Sequence, residues 1–325
     1  MRWGLLKKIL EEATEHRLTN ILAFHLMGEP LLHPDFFRAA SLSHSLGLRL
    51  HLTTNGSTLA LYPEHAEKLT NSRISKVTIS LQTPDAKSFA LRGAPDRLSS
   101  KLYFQGIMRY IRMNLQNQNS TTPIHLKFLD TAPHLFLSPY KPLTINRDAG
   151  DMQNILENWC LSLYQNIGDL FDISQAQKKI KGYRPGRWQV FELHPRLSLE
   201  TFPLDCWADK DSQKVYQASF GYCSGASAQA GILADGTVVP CCKDHEGAIP
   251  LGNVAERSLN SVLQDIPAKR LKKDFSRFRI REPLCRDCIG DASLKKALLR
   301  QFGSIAYFKL YRPLMRRIYP GWGDI

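Results

Sequence analysis

The chain has 325 residues, of which 43% are hydrophobic, and 43 lysines and arginines against 30 aspartates and glutamates leave a net charge of +13. That size and apolar content suit one large α/β domain with a smaller companion and argue against a disordered chain. No run approaches the roughly 20 apolar residues of a membrane span, and Lys7, Lys8, Glu11 and Glu12 interrupt any signal-peptide pattern, so a cytoplasmic protein without a transmembrane segment is expected.

Trp3, Leu6, Ile9, Leu10 and Ala13 form an apolar stripe at helical spacing. Residues 21–26 read as a buried strand. Pro34-Asp35 opens a second helix, which Gly47 closes. Residues 48–52 form the next strand, ending at Thr53-Thr54-Asn55-Gly56, and Pro63 begins a third helix. Residues 77–81 read as a strand, 102–115 as a longer helix and 124–129 as another strand. The stretch from Thr131 to Asp151 is polar and proline-rich and reads as a loop. A helix through Ile155, Trp159, Leu163 and Ile167 follows, then a weaker strand at 190–193. Alternating strands and helices imply a parallel sheet with right-handed crossovers, whose chemistry gathers at the C-terminal strand ends. Gly28-Glu29-Pro30, Thr54-Asn55-Gly56 and Ser80-Leu81-Gln82 fall there.

Beyond Pro203 the composition changes. Helix signals thin out, cysteines appear, and residues 232–239 read as a hairpin about Asp235-Gly236. The expected division is a strand–helix domain over 1–202, a cysteine-rich domain over 203–292 and a basic, aromatic tail over 293–325.

Five of the seven cysteines, Cys223, Cys241, Cys242, Cys285 and Cys288, lie in one short region. Such a cluster in a reducing compartment points to a metal rather than to disulfides. Thiolates suit zinc and iron–sulfur clusters alike, so ligand type leaves both open. Cys285-x-x-Cys288 can place two sulfurs on one centre; Cys223 with either Cys241 or Cys242 completes four, and one cysteine is spare. Cys160, beside Trp159 on an apolar helix face, reads as core, and Cys206 has no assignment.

The spacing Cys223-x12-Gly236-x4-Cys241, then Leu251-Gly252-Asn253-Val254 and Cys285-Arg286-Asp287-Cys288, resembles the SPASM or twitch auxiliary domain of radical S-adenosylmethionine enzymes. No further cysteine follows Cys288, so the resemblance implies one auxiliary [4Fe-4S] cluster. The first half is similar to the same superfamily. Met27-Gly28-Glu29-Pro30 resembles its Gly-Gly-Glu-Pro strand end, which receives the amino group of S-adenosylmethionine. Thr54-Asn55-Gly56 resembles the next strand end, and Ile79-Ser80-Leu81-Gln82 with Arg92-Gly93 the one after. The resemblance implies that Gly28, Glu29, Pro30, Asn55, Ser80 and Arg92 contact the cofactor, Ser80 and Arg92 at its ribose or carboxylate. It implies an α/β fold, a partial (β/α) barrel with a parallel sheet.

The family's Cys-x-x-x-Cys-x-x-Cys triplet, which holds the radical-generating cluster, does not occur in this sequence, and the strand that precedes it is expected to be missing. Two readings follow: a start further upstream or a broken gene, or a protein that keeps a structural cluster without radical chemistry. Unpaired backbone along an exposed strand edge costs about 1–3 kcal/mol per buried group, which favours the first. With the triplet restored, the resemblance implies cleavage of S-adenosylmethionine to a 5′-deoxyadenosyl radical, an electron donor, and an auxiliary cluster that takes up an electron or anchors substrate. The catalytic residues and the substrate, which the charge suggests is anionic, stay unassigned. The rival is a non-catalytic iron–sulfur or zinc-binding protein.

His25 and His51, on strands, read as packing or barrel-lining residues, and His245 as a loop residue in reach of the cysteines. Glu192 could face the barrel interior. The tail, with Lys295, Lys296, Arg300, Lys309, Arg312, Arg316 and Arg317 among aromatics, reads as a basic surface helix. No nucleic-acid module accompanies the charge, and a nucleic-acid partner is not expected.

Overall fold

A computed structural model describes residues 1–25, 27–132, 144–168, 170–204 and 216–318. The chain divides into two compact units. One holds Asn20–His134 and Leu143–Leu204, the other Met1–Thr19 and Asp205–Ile325, each in its described part.

In chain order the first unit contains β1 (Ile21–Phe24), a 3-10 turn at Pro30–Leu32, β2 (Arg49–Thr54), β3 (Lys76–Ile79), β4 (Ile124–Asp130), β5 (Gln189–His194) and β6 (Leu197–Pro203). The chain's first helix, α1 (Trp3–Glu15), belongs to the other unit. The helices of the sheet unit are α2 (Phe36–Ser45), α3 (Ser57–Leu61), α4 (Pro63–Thr70), α5 (Ala86–Phe89), α6 (Ser100–Gln116), α7 (Ala149–Ile167) and α8 (Ile173–Ile180). The strand order is β1-β2-β3-β4-β6-β5. All neighbours are parallel except β5 and β6, which form an antiparallel hairpin.

Alternation makes the core. Leu50, Leu52, Val77, Ile79, Leu126 and Phe128 point to the helices and are at most 1% exposed. Tyr103, Ile107, Tyr110 and Ile111 of α6 and Leu156, Cys160 and Leu163 of α7 meet them at helical spacing. Side chains this buried each contribute roughly 1.5–3 kcal/mol. Ser99, Asp148 and Asp172 cap α6, α7 and α8 by accepting from backbone N–H groups of the first turn. At Gly106 an added Cβ would stand 2.7 Å from Ala60 Cα, so glycine permits the close approach of α6 to α3.

Two features differ from the sequence expectation. Residues 189–194 do form a strand, but it runs antiparallel. Its partner β6 was not anticipated, because Ser198, Glu200 and Thr201 break the look of a buried strand although all three are buried. The helices past residue 203 were also under-read.

The other unit carries a three-stranded antiparallel sheet of β7 (Gly231–Ile232), β8 (Thr237–Val239) and β9 (Gly252–Asn253). The Asp235-Gly236 turn has the expected hairpin form, with Gly236 at φ 94°. Then come α9 (Leu259–Leu263), α10 (Ile266–Ser276), α11 (Pro283–Ile289) and α12 (Leu294–Ala306), a π-helical turn Tyr307–Tyr311 and α13 (Arg312–Ile318). The first helix was expected within a domain over 1–202, yet α1 groups here: Ile9 packs in one apolar cluster with Val238, Val254, Leu259 and Val262. Lys8 Nζ donates to Val254 O at 2.6 Å, and Glu12 accepts from the Leu259 N–H, capping α9. No helix of the described residues is long and apolar enough to cross a membrane.

Candidate functional site

The C-terminal ends of β1, β2 and β3 meet in one polar network. Gly28, at φ 90°, turns the chain after β1; nothing lies within 4 Å of an added Cβ, so backbone conformation rather than crowding calls for glycine. Glu29 Oε1 accepts from the Thr54 hydroxyl at 2.8 Å and the Leu31 N–H at 3.1 Å, and its Oε2 accepts from the Asn55 N–H at 2.7 Å. Burial pushes the Glu29 carboxyl above its ordinary range, and these three donors offset only part of that. Pro30 starts the 3-10 turn.

Arg92 closes the network from the far side. Its guanidinium donates to Thr83 Oγ1 at 3.0 Å, Asn55 O at 3.1 Å and Ser80 O at 3.2 Å, and stacks 4.9 Å from the Tyr103 ring centroid. The Tyr103 hydroxyl donates to the same Asn55 O at 2.8 Å, and burial lifts its phenol to about 12. The Ser80 N–H donates to Thr54 O. Asn55 and Arg92 also border a cavity of about 450 Å³, with Ser57, Gln82, Thr83 and Tyr103. The structure therefore brings Glu29, Asn55, Ser80 and Arg92 together, with Arg92 turned onto backbone carbonyls. Sequence reading missed Thr83 and Tyr103; Tyr103 sits on the apolar face of α6 and looks like plain core.

In the other unit, Cys223 and Cys241 flank Gly225. An added Cβ there would lie 3.6 Å from Cys223 Sγ and 3.9 Å from Cys241 Cβ. The Gly225 N–H donates to Cys223 Sγ at 3.3 Å, and the Ala226 N–H to Pro240 O, which holds the two segments side by side. Cys285 and Cys288 stand three residues apart on α11, on one helix face. Arg300 donates to Cys288 O at 2.9 Å, and residues 216–220 join α11 through the Ala218 N–H to Arg286 O bond. The loop after Cys242 is folded by Asp244, whose buried carboxylate accepts from the Ala248 and Ile249 N–H groups. His245 Nδ1 faces Lys243 O instead.

Burial raises the thiols of Cys223, Cys241 and Cys285, Cys241 to about 11, and neighbouring thiolates add to each; Cys242 and Cys288 are among those neighbours. Cys223, Cys241, Cys285 and Cys288 are thus each in electrostatic reach of the other three, and Cys242 is in reach of Cys223 and Cys241. Among the described residues, no group of three or more His, Cys, Asp and Glu side chains is gathered where a single metal ion would sit. Cys160 is buried in the core of the sheet unit.

Comparison with known proteins decides the family. Residues 1–126 match the Radical SAM superfamily, and residues 223–289 match SPASM, an iron-sulfur cluster-binding domain. The chain thus carries a radical SAM region followed by a SPASM domain. A relative from Nitratidesulfovibrio vulgaris (strain Hildenborough), called AdoMet-dependent heme synthase, is 28% identical over 96 residues, 29% of this chain and 26% of the relative. One of the same name from Methanosarcina barkeri (strain Fusaro) is 23% identical over 312 residues, 88% of this chain and 81% of that one. Among solved structures, anSMEcpe with bound AdoMet is 15% identical with a TM-score of 0.49, covering 97% of this chain and 86% of its own. BtrN in an open conformation is 13% identical with a TM-score of 0.44, covering 89% and 79%.

Proposed function

We propose that this chain serves a radical SAM reaction, with S-adenosylmethionine against the strand ends and one [4Fe-4S] cluster on the SPASM cysteines. The observation that supports the reading is that Cys223, Cys241, Cys285 and Cys288, from three segments of the span that matches SPASM, lie in electrostatic reach of one another. The donor set fits the cluster: soft thiolates, and an amide N–H aimed at the Cys223 sulfur.

In this reading Cys223, Cys285, Cys288 and one of Cys241 and Cys242 hold the cluster. With the family's cysteine triplet restored, S-adenosylmethionine beside the reduced cluster on that triplet would supply a carbon radical that removes hydrogen from substrate, a role the SPASM cluster, with a thiolate on each iron, would not take. The residues of the chain bind and orient. Glu29 braces the ends of β1 and β2, so that the carbonyls around Gly28 and Pro30 present a fixed acceptor edge to an amino group. Arg92, anchored on Asn55 and Ser80 carbonyls, fixes the third strand end and brings positive charge to the cavity rim. The two relatives named heme synthases make a haem precursor the first substrate to assay.

Anaerobic reconstitution with iron and sulfide tests the cluster: about four irons per chain with charge-transfer absorption are expected, falling in Cys223→Ser and Cys285→Ser. Bound zinc without that absorption contradicts the reading.

A further inference from the structure

Another polar cluster lies on the sheet unit, on the face turned from its helices, and no residue of it belongs to the sites above. On β4, Leu126 and Phe128 point into the core while His125 and Lys127 alternate to the opposite face; on β6, Leu199 is core and Ser198 and Glu200 oppose it. Register pairs Lys127 with Glu200, His125 with Ser198, Thr78 with His125, and His51 with Lys76, so one face carries them all.

Glu200 is 1% exposed. Its Oε2 lies 2.9 Å from His125 Nδ1 and its Oε1 3.5 Å from Lys127 Nζ. Lys127 Nζ also stands 4.5 Å from the Phe202 ring centroid and 5.2 Å from that of Trp188. Burial favours a neutral Glu200, but His125, Lys127 and Lys76 outweigh it and hold the carboxyl below its ordinary value. Glu192, on the neighbouring strand, pairs with Lys179 instead.

The balance of charge on this face is uneven. Two lysines oppose one carboxylate before any histidine is counted. Among the described residues Lys76 has no ion-pair partner; burial lowers its ammonium, Glu200 counters that, and Lys127 lowers it further. His25, just past β1, is lowered by burial and by the same Lys127. A desolvated surplus of positive charge is costly until an anion compensates it, and the attraction is stronger where water is scarce. Beside it Trp188 is 58% and Val190 51% exposed, offering apolar contact to whatever carries the anion.

We propose that this face binds the oxyanion of an organic substrate, a carboxylate or a phosphate, on Lys76 and Lys127. Glu200 is a positioning residue: it holds Lys127 and His125 in place and competes with the incoming anion for them. Naming that anion a substrate rests on the radical SAM reading; the binding itself does not.

Isothermal titration of the full chain with sodium benzoate and, separately, inorganic phosphate at fixed ionic strength tests it, and the two probes tell a carboxylate from a phosphate. Saturable binding of at least one is expected. Lys76→Met should weaken it by about tenfold or more, the equivalent of losing one charged contact. Glu200→Gln should tighten it severalfold, an effect that loss of a merely structural carboxylate would not give. Lys295→Met, in the tail, should leave it unchanged. If Glu200→Gln does not fold, judged by its unfolding midpoint, Lys127→Gln takes its place with a loss like that of Lys76→Met. No saturable heat with either probe, equal weakening by Lys76→Met and Lys295→Met, or weaker binding in a folded Glu200→Gln overturns the inference. Iron content of the same samples separates the two proposals: lost iron with anion binding intact sinks the cluster reading alone, and the reverse result sinks this one alone.

Discussion

The strand-end network of the sheet unit and the cysteine neighbourhood of the other unit solve opposite problems. Around Glu29 and Arg92, three donors serve one carboxylate and one guanidinium serves three acceptors, so the network is complete from the chain's own atoms. Around Cys223, Cys241 and Cys285, burial and neighbouring thiolates oppose ionisation, which the Gly225 amide and Lys243 offset only in part at Cys223 and Cys241, and a cationic centre would relieve the rest. The lesson is that the first site is organised before its ligand arrives, while the second gains much of its order from the ligand.

The largest expected effect follows directly. Reconstitution with iron and sulfide should raise the apparent stability of the cysteine unit by ~4 kcal/mol or more, as tight linked binding does, with the sheet unit unmoved. Thermal unfolding followed by calorimetry reads it, and Cys285→Ala should abolish the gain. Equal shifts in both units would erase the contrast. Next, Gly106→Ala should cost the sheet unit about 1–3 kcal/mol, because its Cβ meets Ala60 backbone rather than a movable side chain, and iron content should stay the same. Arg92→Met should cost about 1–2 kcal/mol through the acceptors it abandons, measured by urea denaturation.

Much of this contrast was legible in the sequence, for reasons that also mark where reading stops. Leu50 and Leu52 alternating with His51 and Thr53 announce a strand with one buried face, and the cysteine spacing announces the iron-sulfur domain that residues 223–289 match. The stripe of Ile9, Leu10 and Ala13 shows that α1 has an apolar face, but periodicity does not say what that face touches. Its partners Val254 and Leu259 lie far along the chain. β6 escaped notice for a related reason: Glu200 looks like a surface residue until His125 and Lys127 are seen beside it. Glu29 was singled out for a ligand, yet the hydrogen bonds to Thr54 and Asn55 that fix it depend on two strands lying side by side, which one segment does not encode.

The smallest effect is a pair of opposite signs within the sheet unit. The Glu200 carboxyl is lowered in the folded chain, so its contribution is full above the ordinary carboxylate value of about 4.3 and is lost as pH falls through the folded value. The Glu29 carboxyl is raised, so its contribution is full below that value and is lost as pH rises through the folded one. Urea midpoints measured from pH 3 to pH 7 should flatten on the acid side in Glu200→Gln, and in Glu29→Gln should lose a decline with rising pH just above 4.3. The same slope in both variants would contradict the assignment.

Hydrogen–deuterium exchange of the chain, with and without the reconstituted cluster, tests the contrast most directly. The amides around Cys223, Cys241 and Cys285 are expected to exchange quickly without iron and slowly with it, while those of Thr54, Asn55 and Ser80 stay equally protected in both. Protection around the cysteines that is indifferent to iron, or strand ends that tighten as much as they do, would contradict it.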